Sequence, residues 1–486
     1  MSAVFRLSAL ATSLALAACA AGSDYERPAS AVSARFARDE SQAMQHDAAP
    51  AGTSADADAA FWRGFGDPAL TRLIDAALAA NQDLQLAVSR YDASNALLRE
   101  TRFDRIPTIT ASGQIGHRLT SKDQAFGAPR DQRDKPTSSV GINAAWELDL
   151  FGRVRRAVEA QRAETAASAA DVRAVRIAIA GEVARAYVDL RGSQERLRIA
   201  RENADNQRQT LALIDARVGA GRGSELDAAR ARAQVESTTS RIAVYEAAIG
   251  VDEHRLAVLT GQPPGALIGE LDAPAPLPAL VADIDPGTPG DLLRRRPDVA
   301  AAEARLHAAT ARVGVATADL FPRFTLTGLL GSMTSSYGFF RSGSDTNLIA
   351  LGVDWSFLDV GRVRARLAAS NADAAGQLAQ YRQTVLGALE ETENALLRVA
   401  RTRDETTHLE RAATDSARAA QLAHARFTAG AIDYYEVLDA ERTLLQAQDA
   451  AADGRLRSAD ATVALYKALA GGWPSGAGPD APIARR

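Results

Sequence analysis

The stretch Trp146-Glu-Leu-Asp-Leu-Phe-Gly-Arg-Val-Arg155 returns later in the chain as Trp355-Ser-Phe-Leu-Asp-Val-Gly-Arg-Val-Arg364. The two tryptophans are 209 positions apart, from 146 to 355. A second motif, Arg217-Val-Gly-Ala-Gly221, returns as Arg426-Phe-Thr-Ala-Gly430 at the same separation of 209. A register kept without an insertion indicates a rigid, regular element between the motifs, so the sequence predicts an internal duplication.

Each copy begins with a helix followed by two strands. The helices are predicted over residues 67–102 and 296–318, and a proline separates each helix from the next strand. The predicted strand hairpins cover residues 108–148 and 323–357. Their second strands alternate apolar with small or polar residues, which is the period of two typical of strands. The apolar positions are Val140, Ile142, Ala144, Trp146 and Leu148, and Ile349, Leu351, Val353, Trp355 and Phe357.

A long helical pattern follows each pair of strands. Between Arg153 and Arg217 there is no proline and only two glycines, and a helix of that length would extend over roughly 100 Å. A turn and a return helix follow, for which Ser224 and Asp433 are suitable N-cap residues. The sequence therefore predicts two antiparallel helical hairpins, at residues 153–259 and 362–469.

The N-terminus has the features of an export signal. Arg6 precedes a short apolar run from Leu7 to Ala18, and Cys19 is the only cysteine of the chain. Leu16-Ala-Ala-Cys19 resembles a bacterial lipobox, which implies removal of residues 1–18 and acylation of the Cys19 thiol, for example with palmitate. An ordinary signal peptide with an incidental cysteine is the alternative. By resemblance to lipoprotein sorting signals, Ala20 favours the outer membrane.

The predicted organisation of the mature chain is two repeats with irregular segments around them. Residues 19–60 lack periodicity and are predicted to be an acylated, flexible tether. The first repeat covers residues 61–262 and the second covers residues 291–472. A Pro- and Gly-rich linker at 263–290 joins them, and residues 473–486 are predicted to be a flexible tail.

Composition and motifs speak against several functional classes. The formal net charge of −4 gives no indication of nucleic-acid binding. No run of eighteen apolar residues occurs, so a transmembrane helix is not expected. The six histidines show no metal-ligand spacing, and neither a phosphate-binding glycine loop nor a serine nucleophile elbow occurs. We therefore expect no catalytic residues, no metal and no cofactor beyond the lipid on Cys19.

The four strands have the length and alternation needed to cross a bilayer when tilted. Four strands cannot close a barrel, and open sheet edges are not tolerated in lipid, so several chains must share one barrel with rotational symmetry. The predicted fold is mixed α and β: a membrane β-barrel continuous with a long periplasmic α-helical barrel. The main alternative is a lipid-anchored periplasmic coiled-coil adaptor without a pore, and an enzyme is a more distant one.

The chain resembles the outer membrane efflux proteins of the TolC type, in particular their lipoprotein branch, over about residues 60–472. The motifs that carry the resemblance are Trp62…Phe65-Gly-Asp-Pro-Ala-Leu70, Arg294-Arg-Arg-Pro-Asp-Val299 with Ala302-Glu303, Leu320-Phe-Pro322, and Gly430 followed by Tyr435-Glu-Val-Leu-Asp-Ala440. The resemblance implies a homotrimer in the outer membrane, with a twelve-stranded barrel and a twelve-helix periplasmic tunnel. It also implies docking on a periplasmic adaptor and on an inner-membrane transporter of the resistance-nodulation-division type.

The resemblance further implies a gate where the hairpin turns meet at the periplasmic tip. Matching by position from the turn glycines gives Asp227 in the first repeat and Glu436 in the second, with Asp439 one turn further. In a trimer each would form a ring of three carboxylates, which favours cations and can bind a divalent ion. The family's gate has Asp at the place of Glu436, which leaves the geometry of an ion block open. The alternative is that these acids stabilise the first helical turn.

The resemblance also places adaptor binding at the hairpin turns. The candidates for adaptor contact are Val218, Gly219, Gly221, Phe427 and Gly430. For each glycine the alternative is that it only permits a positive φ.

Overall fold

The computed structural model describes residues 20–29, 33–37, 65–278 and 286–469. The first repeat contains α1 (Pro68–Ala80), α2 (Gln82–Phe103), β1 (Thr108–Leu119), α3 (Arg130–Arg133), β2 (Asp134–Leu148), α4 (Arg153–Gly219) and α5 (Glu225–Leu259). After α6 (Ile268–Leu271), the second repeat contains α7 (Pro289–Arg295), α8 (Pro297–Ala318), β3 (Arg323–Thr334), β4 (Asp345–Asp354), α9 (Val360–Thr428) and α10 (Tyr434–Ala468). No helix within these ranges is both long and apolar enough to span a membrane.

The chain divides into two compact units, each built from separate pieces of sequence. The sheet unit is drawn from the described residues of Met1–Ala29, Ser89–Ala169 and Ala301–Gln383. The hairpin unit is drawn from those of Ser30–Val88, Ala170–Ala300 and Thr384–Arg486. Both repeats contribute to both units, as expected of a duplicated chain.

The first helix of the first repeat is interrupted, which was not predicted from the sequence, whereas the helix predicted over residues 296–318 is confirmed as α8. The single helix expected over residues 67–102 is wrong, because Asn81 separates α1 from α2. The Asn81 side chain accepts hydrogen bonds from the backbone N–H groups of Asp83 (2.9 Å) and Leu84 (3.2 Å) and donates one to the Leu259 carbonyl oxygen (2.9 Å). Arg296 is the equivalent break between α7 and α8, 215 positions on from residue 81. Tertiary contacts thus interrupt, at Asn81, a helical pattern that is continuous in the sequence.

The sheet unit contains one antiparallel sheet in the order β1-β2-β3-β4. Ile142 lies opposite Ala111 of β1 and Leu330 of β3, and Leu326 lies opposite Leu351 of β4. Directly opposed residues point to the same face, so this register gathers most of the apolar positions of the four strands on one face. The exposed members are Ile109, Ile115, Ile142, Leu326, Leu330, Ile349, Leu351 and Val353.

The two tryptophans of the repeated motif make equivalent hydrogen bonds. The indole N–H of Trp146 donates to the carbonyl oxygen of Arg105, and that of Trp355 donates to the carbonyl oxygen of Leu320, each at 3.1 Å. Arg105 and Leu320 are 215 positions apart, whereas the tryptophans are 209 apart. Since β1 and β3 both have 12 residues, the difference lies after them, in the connecting loops and in the second strands.

The hairpin unit is dominated by the two pairs of long helices. The outgoing helices α4 and α9 have 67 and 69 residues, and the return helices α5 and α10 have 35 each. The linker also packs here: Leu271 is buried, and Gln194 of α4 donates a hydrogen bond to its carbonyl oxygen at 2.7 Å.

The N-terminal segment is held more firmly than its sequence suggests. Residues 19–60 were predicted to be a flexible tether, but residues 20–29 make fixed contacts in the sheet unit. The Ala21 N–H donates to the Phe151 carbonyl oxygen (2.9 Å) and the Tyr25 ring stacks on His307 with centroids 4.4 Å apart. In the hairpin unit, Phe36 is 5% exposed and packs with Leu292 and Leu465. Cys19 and the predicted tail at 473–486 lie outside the described residues.

Candidate functional site

The first hairpin turn, residues 218–224, ends α4 with a glycine in the left-handed region. Gly221 has φ +69. Its N–H donates to the Val218 carbonyl oxygen (2.9 Å), and the Arg222 N–H donates to that of Arg217 (2.8 Å). This pair of hydrogen bonds is the Schellman arrangement, which satisfies the last carbonyl groups of a helix and requires a positive φ at the glycine.

The second hairpin turn, residues 427–433, repeats this geometry. Gly430 has φ +74 and donates to the Phe427 carbonyl oxygen, while Ala431 donates to that of Arg426, each at 2.9 Å. Apart from the adjacent residues and the backbone of the same helix, no described atom lies within 4 Å of a Cβ placed on Gly221, Gly430 or Gly219. Gly221 and Gly430 therefore end helices, and the space above them is open. Gly219 is helical and its φ is not positive.

The N-caps of the return helices differ between the two turns. The Ser224 hydroxyl accepts a hydrogen bond from the Leu226 N–H at 3.1 Å, which confirms it as the cap of α5. Asp433 occupies the equivalent position before α10, but its carboxylate accepts no capping hydrogen bond from the described residues. Contacts other than a side-chain cap therefore hold the second turn at the start of α10.

An apolar cluster joins the two turns. Phe427, Tyr434, Val437 and Leu438 of the second repeat pack with Ile214, Ala228 and Ala231 of the first. Phe427 is 6% exposed, and the guanidinium group of Arg217 lies 4.7 Å from its ring centroid. The structure thus places the Phe427 side chain inside the cluster rather than on the surface. Val218 is partly buried against the same cluster.

The three gate candidates lie at the starts of the return helices, in different electrostatic surroundings. Asp227 is partly exposed, and Arg230 lies one turn further, with its Nη1 atom 3.8 Å from the Asp227 carboxylate. Glu436 and Asp439 are exposed and three residues apart on α10, so they share one face of the helix. Neither forms an ion pair within the part of the chain that the structure describes. The structure therefore brings two unpaired carboxylates together in the second repeat.

A ladder of polar contacts joins α10 to the helices of the first repeat. Arg442 donates to the Gln234 side-chain oxygen (2.9 Å), and Asn203 donates to that of Gln448 (2.8 Å). At the next level Asp449 accepts from Arg196 and from the Tyr245 hydroxyl, each at 2.9 Å.

This ladder was not predicted from the sequence. Its partners are more than 200 positions apart, for example 203 and 448, and no local motif marks them. Burial acts to raise the pKa of Asp449, but hydrogen bonds from Arg196 and Tyr245 hold this pKa below its ordinary value. The ladder is therefore charged at neutral pH and fixes the second hairpin against the first.

The described residues contain no group of three or more His, Cys, Asp or Glu side chains placed to hold a metal ion. Around the two hairpin turns, the described polar side chains cap helices, form ion pairs or remain as open carboxylates.

Comparisons with known proteins agree with this duplicated architecture. Residues 73–262 and 288–471 match the family of outer membrane efflux proteins. The outer membrane protein OprJ of Pseudomonas aeruginosa is 34% identical over 492 residues, which cover 97% of each chain. The solvent efflux pump outer membrane protein SrpC of Pseudomonas putida is 33% identical over 464 residues, covering 95% of this chain and 97% of the relative.

A solved structure of the outer-membrane channel OprN is similar at a TM-score of 0.86 with 37% identity, over 94% of this chain and 100% of that one. Two matched segments, one in each repeat, account for most of the sequence. The chain therefore belongs to the outer membrane efflux protein family, in its lipoprotein branch, and is an outer-membrane channel protein of the TolC type that extends into the periplasm.

Proposed function

We propose that three copies of this chain form the exit duct of a tripartite efflux pump. The duct passively conducts solutes from a periplasmic adaptor and an inner-membrane transporter to the outside. The observation that carries the proposal is the four-stranded sheet, which has one apolar face and two outer strands, β1 and β4, each without a neighbour on one side among the described residues. In lipid these edges must be paired.

The sheet supports closure by copies of the same chain. With four antiparallel strands, β4 runs opposite to β1, so β4 of one protomer can pair with β1 of the next in the same antiparallel sense. Outer-membrane barrels have at least about eight strands, which excludes a barrel of one chain. Three copies give about twelve strands, the number that the resemblance to TolC-type channels implies.

The lipid anchor is part of the proposal. Acylation of Cys19 would anchor the N-terminus in the membrane, because each buried CH₂ group of an acyl chain contributes about 0.8 kcal/mol to membrane binding. The contact of Ala21 with Phe151, just after β2, holds the chain beyond Cys19 close to the end of a strand. Such an anchor would lie beside the membrane-facing part of the sheet unit.

The gate in this proposal rests mainly on the second repeat. Glu436 and Asp439 are open carboxylates, and three copies of each would form two rings that attract cations. Asp227 is the weaker candidate because Arg230 lies beside it. The bound ion, if the rings hold one, is cargo or a blocking cation and not a cofactor.

The adaptor would contact the two turns through backbone rather than through large side chains. Gly219, Gly221 and Gly430 are exposed and leave the backbone open, and Val218 is partly exposed beside them. Phe427 would act indirectly, by holding the turns together from inside the cluster. The inner-membrane partner, of the resistance-nodulation-division type, would select the substrate, since a passive channel admits many solutes.

Ion conduction tests this proposal. The purified mature protein, inserted into planar lipid bilayers, should give discrete current steps that carry cations in preference to anions. Heat-denatured protein from the same preparation is the control. A native preparation that binds the bilayer without any current step would contradict the channel and favour the pore-free adaptor.

A further inference from the structure

Near its turn, each helical hairpin has an ion pair between its outgoing and return helices at equivalent positions. In the first hairpin, Asp215 pairs with Arg232, with Oδ1 and Nη1 3.3 Å apart. In the second, His424 pairs with Glu441, with Nε2 and Oε1 2.8 Å apart. Residues 215 and 424 are 209 positions apart, as are 232 and 441. The repeat thus keeps the pair but exchanges its charges and introduces a histidine, the side chain that titrates near neutral pH.

The two pairs differ strongly in burial. About half of each side chain is exposed in the Asp215–Arg232 pair. In the other pair Glu441 has a side-chain exposure of 8%, while His424 is 41% exposed. A surface pair contributes little because water screens it, whereas a buried carboxylate depends on its partner for its charge. The second pair is therefore the more consequential one.

Glu441 also connects the two repeats. Its Oε1 atom accepts a hydrogen bond from the Thr210 hydroxyl of α4 at 3.3 Å, so one carboxylate oxygen contacts α4 as well as α9. Its other oxygen, Oε2, is buried without a hydrogen-bond partner in the described structure. A half-satisfied buried carboxylate is costly when it loses an opposite charge.

The pair is accessible to protons from solvent. His424 and Glu441 line a cleft of about 520 Å³ whose other lining residues are uncharged. Most of these are amides or alkyl groups, among them Asn206, Gln209 and Gln421. The half-exposed imidazole can therefore exchange protons through the cleft.

A buried tyrosine near the pair does not titrate in the same range. Tyr434 at the start of α10 is coupled electrostatically to Glu441, Asp227 and Arg442, and burial raises its pKa further above 10. Tyr434 is therefore neutral at physiological pH, so the side chain that changes its charge near neutrality is that of His424.

The direction of the titration follows from the ion pair. The hydrogen bond to Glu441, with the opposite charge of that carboxylate, raises the pKa of His424 above its ordinary value of 6.5, against the effect of burial. A raised pKa in the folded state means that the contribution to stability is complete below about pH 6.5 and is lost as the pH rises through the folded-state pKa.

We propose that His424 and Glu441 form a proton-dependent latch that positions the gate. The latch holds the start of α10, with Glu436 and Asp439, against α4 through Thr210, and its release favours the open channel. The inference rests on the proposed channel function. Asp439 precedes Glu441 by only two residues on the same helix, so movement of the pair moves the carboxylate ring directly.

Single-channel recording across pH tests the latch. From about pH 5.5 to about pH 8.5, the wild-type open probability should rise several-fold as His424 loses its proton. Glu441→Gln should be open to a similar extent at all these pH values, and His424→Lys, which keeps the charge, should remain mostly closed. Asp215→Asn, which breaks the equivalent exposed pair, should retain the wild-type pH profile.

The outcomes separate the latch from the channel itself. Conduction that does not change with pH in the wild type, or an equal effect of Asp215→Asn and Glu441→Gln, would overturn the latch and leave the channel intact. No conduction by any variant would instead reject the proposed function. NMR titration of the His424 ring in the folded protein provides a measurement independent of current: its pKa should fall when Glu441 is replaced by Gln, and an unchanged value would also overturn the latch.

Discussion

The two hairpin turns have the same backbone geometry but differ in their charged side chains. Both end in a Schellman arrangement around a left-handed glycine, with hydrogen bonds that agree within about 0.1 Å. Around the first turn the acid Asp227 has Arg230 beside it. At the equivalent positions of the second turn stand Glu436 and Asp439, both acids and both unpaired among the described residues. The duplication has thus kept the geometry and placed the unbalanced negative charge in one copy.

This difference indicates that the two repeats have different roles. The first turn is closed by its own capping serine and by neighbouring ion pairs, so it can serve as the fixed side. The second turn has no side-chain cap from Asp433 and depends on the apolar cluster, the polar ladder and the His424–Glu441 pair. We therefore expect changes in the second turn to affect the protein more than the same changes in the first.

The largest difference is expected for the apolar residues that stand at equivalent places, Phe427 and Val218. Phe427→Ala should destabilise the fold by about 3–5 kcal/mol, because it removes a buried ring and the contact with Arg217. Val218→Ala should cost less than about 1.5 kcal/mol, since Val218 is smaller and partly exposed. Chemical denaturation followed by circular dichroism measures both. Equal losses would show that the cluster depends no more on Phe427 than on Val218.

The turn glycines give the next comparison. Gly430→Ala should destabilise the protein by about 1–2 kcal/mol, because the left-handed conformation crowds a Cβ atom against the backbone. Gly219→Ala is the matched control and should be neutral or slightly stabilising, since Gly219 is helical and has room for a methyl group. Thermal unfolding of the two variants distinguishes them. A loss at Gly219 as large as at Gly430 would mean that close packing, rather than φ, requires these glycines.

Substitution of the gate carboxylates should affect the current more in the second repeat than in the first. Replacing Glu436 by Gln and Asp439 by Asn together should raise conductance and lower cation selectivity about three- to fivefold, equivalent to about 1 kcal/mol. Asp227→Asn should change selectivity much less, because Arg230 already offsets its charge. Reversal potentials in a salt gradient measure the selectivity. Unchanged reversal potentials in the double variant would remove both residues from the gate.

The smallest effect is expected at the N-caps. Ser224→Ala should cost about 1 kcal/mol by removing the hydrogen bond to the Leu226 N–H. Asp433→Ala should cost only a few tenths of a kcal/mol, because the carboxylate makes no such bond to the described residues. The two midpoints of thermal unfolding give this difference. A larger loss at Asp433 would indicate a partner for its carboxylate in the assembled channel.

Local patterns in the sequence were sufficient to predict the repeated elements. Alternation located the strands, although β4 ends at Asp354 and not at the predicted Phe357, and the scarcity of proline and glycine located the long helices. The lengths of these elements follow from the same pattern, since α4 was expected to extend to Arg217 and extends to Gly219. The similarity to the outer membrane efflux proteins confirms the predicted family and the class of fold.

Contacts between distant residues were not predictable in this way. The break at Asn81 depends on the Leu259 carbonyl group, 178 residues away, and the burial of Phe36 depends on α7 and α10. The ladder and the His424–Glu441 pair needed the helices to be placed side by side before their partners were visible. The register of 209 offered one signal, because it aligns Asp215 with His424 and Arg232 with Glu441.

The assignment of the acids and glycines to a gate and an adaptor surface remains a prediction. Their exposure is compatible with it, while the buried Phe427 side chain points to an internal role. Its effect on adaptor binding should therefore be indirect, through the shape of the turns.

Single-particle imaging of the detergent-solubilised mature protein tests the closed barrel most directly. We predict particles with threefold symmetry in which β4 of each protomer pairs with β1 of the next, leaving no free sheet edge. Monomeric particles with both edges unpaired would contradict the shared barrel and leave the lipid-anchored adaptor in its place.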